Sequence, residues 1–156
     1  MFFIPEALGS VAKTNRGKKM NIRIYIFEDS DQVRLWLEEI LGMHGYKVQT
    51  FSHPSPGIIR EMNTRKSPGQ TDIVITDMDM PEMCGSELTH KLIAAGFDEK
   101  NIAVISGYWT EESAAEAARV KMFRKPFSIR ELLVWVEERK CGRENPCLPV
   151  DQIEKI

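Results

Sequence analysis

Along residues 21 to 140 the hydrophobic positions come in short blocks, and their period switches repeatedly between two and about 3.6 residues. IRIYIF, from Ile22, is β-branched and aromatic and stops at EDSD, which predicts a strand ending on acids. Ser30 or Asp31 can then cap a helix with Val33, Trp36, Leu37, Ile40 and Leu41 on one face, closing between Gly42 and Gly45. KVQTF alternates as an exposed edge strand does. Residues 55–66 place Ile58, Ile59 and Met62 at weaker helical spacing and end at SPGQ. DIVITD is the next strand, and SELTHKLIAAG predicts a helix with Leu88, Leu92 and Ala95 inward and Gly96 at its end. NIAVIS reads as a fully buried strand, EESAAEAARV as an alanine-rich helix, and MFRKPF as a short strand stopped by Pro126. The last helix opens at Ser128 with the capping box SIRE and turns Ile129, Leu132, Leu133 and Val136 inward.

Five strands alternating with five helices predict an α/β fold, a doubly wound (βα)5 parallel sheet covered on both faces, over residues 21–140. Residues 1–20 lack such a pattern and cluster Lys13, Arg16, Lys18 and Lys19, as expected of a disordered leader, with a basic docking arm as the lesser alternative. The tail, residues 141–156, has two prolines and little periodicity, and is expected to be a short extension without an output domain.

Composition narrows the function classes. A chain of 156 residues, 42% hydrophobic and 28% charged, suits one soluble globular domain. A net charge of -2 offers no field to draw nucleic acid or an anionic membrane, so neither is expected as a partner. Cys84, Cys141 and Cys147 leave one thiol over in any disulfide scheme and match no zinc spacing. Apolar runs fall short of the roughly 18 residues of a membrane span, and Pro5 and Glu6 interrupt the start where a signal peptide would be apolar. A reduced, cytoplasmic setting is the expectation.

The chemistry concentrates at strand ends. In an open parallel sheet the carboxyl ends of all strands lie along one edge, where ligands bind. The first strand ends in Glu28 and Asp29, the third in Asp77 with Asp79 just beyond, the fourth in Ser106 and the fifth in Lys125. Clustered carboxylates near a low-dielectric core call for a cation, and an oxygen-only set suits Mg²⁺. A lysine and a hydroxyl beside them complete what phosphoryl transfer to an aspartate requires. Singly, each residue is an ordinary turn acid or loop lysine. His44, His53 and His90 have no motif around them, Pro81 and Gly85 read as backbone devices, and Tyr108 and Trp109 fit either partial core or an exposed contact surface.

Four motifs in order change that weighting: FEDS at the end of the first strand, DMDMPEMCG after the third, ISG after the fourth and RKPF after the fifth. On these, residues 21–140 resemble the receiver domain of two-component response regulators. The resemblance implies a flavodoxin-like sheet of strand order 2-1-3-4-5. It implies that Asp77 accepts a phosphoryl group from a histidine kinase or histidine phosphotransfer protein. Mg²⁺ would be held by Glu28, Asp29, Asp77 and the backbone carbonyl of Asp79, and phosphoryl oxygens by Ser106 and Lys125. The protein would be a phosphoacceptor that assists its own phosphorylation and dephosphorylation rather than an enzyme, signalling by contact with a downstream effector protein. One departure stands out: receivers commonly carry Tyr or Phe three residues before the lysine, and here that switch position, the partner of Ser106, is Met122. Two other readings compete. A pseudo-receiver would keep the fold as a binding module without phosphorylation. A phosphohydrolase with an aspartate nucleophile would share the D-x-D of DMDMP, but places its metal-binding acids after the lysine, whereas RKPFSIRELLVW runs on without an acidic pair.

Overall fold

The computed structural model describes residues 21–108, 110 and 119–140. Five strands are present: β1 (Asn21–Phe27), β2 (Lys47–Phe51), β3 (Gln70–Asp77), β4 (Ile102–Ser106) and β5 (Lys121–Arg124). The helices among the described residues are α1 (Asp31–Met43), α2 (Pro56–Thr64), α3 (Gly85–Ala94) and α4 (Ile129–Glu137), with a 3-10 turn at Glu99–Asn101. The alanine-rich helix expected between β4 and β5 falls mostly on residues 111–118, and it and Trp109 lie outside the described residues, as do the expected leader and tail.

All strands pair in parallel, in the order β2-β1-β3-β4-β5. Strand alternation sorts the core into two layers. Ile24, Ile26, Ile73, Ile75 and Phe123 face α1 and α4, whose Leu37, Leu41, Leu132 and Val136 cover them. Tyr25, Phe27 and Val74 face the opposite way, onto Ile59 and Met62 of α2 and Leu88 and Leu92 of α3. Central β4 is buried at every position while edge strand β2 has no fully buried residue, as continuous and alternating apolar patterns respectively require.

Serines start three helices: Ser30, Ser55 and Ser128 accept from the amides of Val33, Ile58 and Glu131. Gly45 and Gly96 take positive φ just past α1 and α3. Differences from expectation sit at margins. Trp36 is 42% exposed, because Leu37 and Leu41 centre α1 on the core and place Trp36 at its flank, where it leans on Phe127 at 6.1 Å. Ala95 and Ile129 are only half-buried, at or next to a helix end. β5 stops at Arg124, one residue before the cis Lys125–Pro126 peptide. No helix among the described residues is long and apolar enough to cross a membrane.

Candidate phosphoacceptor site

Strand register brings the expected residues together. Phe27 is opposite Thr76, so Glu28 emerges beside Asp77; Asp77 is opposite Ile105, and Ser106 is opposite Arg124, the residue before Lys125. The Lys125 Nζ lies 2.9 Å from Asp77 Oδ1 and 4.0 Å from Glu28 Oε2. Carboxylate oxygens of Glu28, Asp29 and Asp77 all fall within 4.8 Å of one another. Glu28 and Asp77 are buried, Asp29 and Asp79 exposed, and the carboxylate of Asp79 is not part of that cluster.

Such crowding is electrostatically costly. Burial pushes the Glu28 carboxyl up to about 7, Asp77 and Asp29 add to the effect, and the Ser30 amide, 3.0 Å from Oε1, and Lys125 oppose it. Burial also raises Asp77 above the usual carboxylate range, against the pull of Lys125 and with help from Asp29 and Asp79. Desolvation pulls the Lys125 ammonium down, but Asp77, Glu28 and Asp29 outweigh it and leave it above its ordinary value. Asp77 Oδ1, although ion-paired at 2.9 Å, has no aligned hydrogen bond, so it retains capacity for a further partner. Two buried carboxylates and an exposed one facing a single ammonium fit a hard divalent cation held by oxygen.

The Asp77 backbone is tightly located. The Met78 amide donates to the Ile105 carbonyl at 2.8 Å, and the Gly85 amide donates to the Met78 carbonyl at 2.8 Å. A Cβ on Gly85 would stand 2.4 Å from the Asp77 carbonyl oxygen, so only glycine lets α3 start against the end of β3. Residues 24–137 match the family model of the response regulator receiver domain.

The chain belongs to the response regulator receiver family. Two curated relatives are matched over most of their length. They are the Sporulation initiation phosphotransferase F of Bacillus subtilis, 29% identical over 72% of this chain and 89% of its own, and the response regulator receiver protein CpdR of Brucella abortus, 30% identical over 74% and 94%. The sensor kinase CckA of Brucella abortus is 32% identical over 74% of this chain, which spans only 12% of that kinase. In fold, this receiver resembles the chemotaxis protein CheY4 of Vibrio cholerae at a TM-score of 0.63 and 21% identity, covering 77% and 98% of the two chains. It likewise resembles TrrA of Thermotoga maritima, solved with Mg(2+)-BeF, at 0.62 and 23%, covering 76% and 98%.

Ser106 is fully buried, and its hydroxyl donates to the Tyr108 carbonyl at 2.6 Å while accepting from the Tyr108 amide at 3.2 Å. Met122 is half-buried on β5 and, next to core-facing Phe123, points to the opposite side of the sheet. The histidines lie elsewhere: His44 Nδ1 is 2.8 Å from the Ile40 carbonyl and His53 pairs with Ser52. Cys84 is an exposed free thiol at the start of α3. Sequence reasoning missed Arg34, whose Nη1 donates to the Glu28 carbonyl at 2.8 Å. A cation in the first turn of a helix runs against the helix dipole, and that was the available signal.

Proposed function

We propose that this receiver works as a phosphorylated switch: Asp77 accepts a phosphoryl group from a phosphohistidine on a kinase or phosphotransfer protein, and the modified domain is read by an effector protein. The observation that carries this reading is the placement of Lys125 Nζ at 2.9 Å from a buried Asp77 inside the Glu28, Asp29 and Asp77 cluster. An Asp77 oxygen forms a bond to phosphorus while the bond from phosphorus to the donor breaks and the donor leaves with its electron pair. Mg²⁺, held by Glu28, Asp29, Asp77 and the Asp79 carbonyl, would neutralise charge on the phosphoryl oxygens. Lys125 exchanges its present carboxylate contact for one shared with the incoming oxygens. Ser106 turns from the Tyr108 carbonyl toward the phosphoryl group, and Met122 takes up the space released. This is a single-turnover modification, not turnover of a small substrate, and it belongs to the cytoplasm. The order of the acids, ahead of the nucleophile, also supports a receiver over a phosphohydrolase.

Acetyl phosphate tests it directly, since transfer to Asp77 releases acetate and conserves charge. With Mg²⁺ present, intact mass should rise by one phosphoryl group, and Asp77→Asn should abolish the gain. No adduct, together with amide spectra that ignore beryllofluoride, would defeat the reading and leave a non-phosphorylated binding module.

A further inference from the structure

The turn between β1 and α1 carries both Glu28 and Asp29, and its backbone is fixed by a side chain that no part of the proposed reaction uses. β1 has its last paired residue at Phe27, so the Glu28 carbonyl lies beyond the ladder. Arg34 Nη1 donates to that carbonyl at 2.8 Å, and its other arm holds Asp31. The guanidinium is anchored rather than solvated: the Arg34 side chain is 16% exposed although that of Asp31 is 81% exposed. A pair so open to solvent contributes little by itself, which leaves the carbonyl bond as the structurally meaningful contact. On the near side, the Glu28 amide donates to the Phe51 carbonyl at 3.1 Å, and the Ser30 amide donates to Glu28 Oε1 at 3.0 Å. Arg34 is the fastening on the one peptide that links the two acids.

We infer that Arg34 is a positioning residue for the divalent-cation site: by holding the Glu28 carbonyl it fixes the peptide from which the Asp29 carboxylate projects, and so sets cation affinity without touching the cation. The inference rests on the metal reading proposed above. Charge and position make opposite demands here. A guanidinium near a cation site repels the cation, so if charge alone mattered, removing Arg34 would tighten binding. If position matters, removing it frees the Asp29 peptide and weakens binding, by about tenfold if it behaves like other groups that orient metal ligands.

The test is a titration with Mg²⁺ alone, followed by backbone amide shifts, which report in the same spectra whether each variant is folded. Arg34→Met should bind about tenfold more weakly. Arg34→Lys keeps the charge and one donor able to reach the carbonyl, and should fall between Arg34→Met and the unaltered protein. In acetyl phosphate labelling, Arg34→Met should need more Mg²⁺ for half-maximal rate yet approach the unaltered maximal rate at saturation. Equal or tighter binding by Arg34→Met overturns the inference. So does an unfolded Arg34→Met combined with unchanged affinity in Arg34→Lys. Failure of the unaltered protein to bind Mg²⁺ is a separate result, and removes the metal reading itself.

Discussion

Adding one methyl group at two glycines should move stability in opposite directions, because the two sites differ only in what the methyl would meet. At Gly42, in α1, nothing lies within 4 Å of the position a Cβ would take, and φ is not positive. Alanine there restricts the unfolded chain and suits the helix, so Gly42→Ala should stabilise by about 0.4–1 kcal/mol. At Gly85 the same atom would stand 2.4 Å from the Asp77 carbonyl oxygen, 2.9 Å from Met78 Cα and 3.1 Å from the Asp77 carbonyl carbon. Ordinary contact begins near 3.4 Å, so about 1 Å of relief is needed. Neither side yields easily. Asp77 and Met78 are tied to Ile105, and α3 is held by buried Leu88 and Leu92. Overpacking of this kind costs about 1–3 kcal/mol; less the helical gain, Gly85→Ala should lose roughly 1–2 kcal/mol. Urea unfolding by circular dichroism, with metal removed, checks both: the midpoint should rise for Gly42→Ala and fall for Gly85→Ala at unchanged slope. A Gly85→Ala midpoint at or above that of the unaltered protein would refute the argument that α3 is packed to its steric limit against the end of β3.

Metal-free stability should fall as pH rises from 4.5 toward about 7, since Glu28 keeps its proton in the fold after it has ionised in the unfolded chain. The window corresponds to about 3 kcal/mol at 1.36 kcal/mol per pH unit; urea midpoints across it should decline, and a curve no flatter in Glu28→Gln would assign the effect elsewhere. Mg²⁺ at a hundred times its dissociation constant should stabilise the fold by about 2.7 kcal/mol. Asp29→Ala should remove most of that increment in thermal unfolding, and an undiminished increment would take Asp29 out of the ligand set. Ser106→Ala should still allow labelling of Asp77 yet weaken the beryllofluoride-dependent change in amide exchange over residues 107–135; an unweakened change would exclude Ser106 as the relay.

The legible parts of this fold are those where one physical requirement acts alone. β3 and β4 are covered on both faces, so DIVITD and NIAVIS read as strands by their continuous apolar character. The site was legible for a related reason. Glu28, Asp29, Asp77, Ser106 and Lys125 each stand within three residues after the last apolar residue of their strand, and a parallel register then aligns the strand ends without further information. The five-residue apolar face of α1 does not say which of its members is buried: the sheet has room for the arc centred on Leu37 and Leu41, and Trp36 falls at its flank. Arg34 left only the faint trace of a cation near a helix start, because its partner is a backbone carbonyl, which has no letter in the sequence. The pKa of Glu28 was hidden likewise: the sequence places an acid after a strand, but burial and the nearness of Asp77 set its proton affinity.

The departure at Met122 bears on how a proposed switch would leave the site. The Ser106 hydroxyl is a two-way latch on Tyr108, donating to its carbonyl at 2.6 Å and accepting from its amide at 3.2 Å. Tyr108 is itself 76% exposed, and the latch acts on its backbone alone. Recruiting that hydroxyl to a phosphoryl oxygen exchanges a neutral acceptor for a charged one, which favours the exchange by roughly 1 kcal/mol or more. On the proposed function, Tyr108 would therefore be released by the same bond that recognises the phosphoryl group. The Lys125 amide donates to the Ser106 carbonyl at 2.8 Å, and Met122 lies opposite Val104, two residues earlier on the same strand, so β5 shares any shift of Ser106. A rigid ring at position 122 would have to swing as a unit to follow. The unbranched methionine side chain can follow by rotamer changes, so in the proposed switch the coupling through Met122 would be softer and Tyr108 would be the sharper reporter of a phosphorylated state.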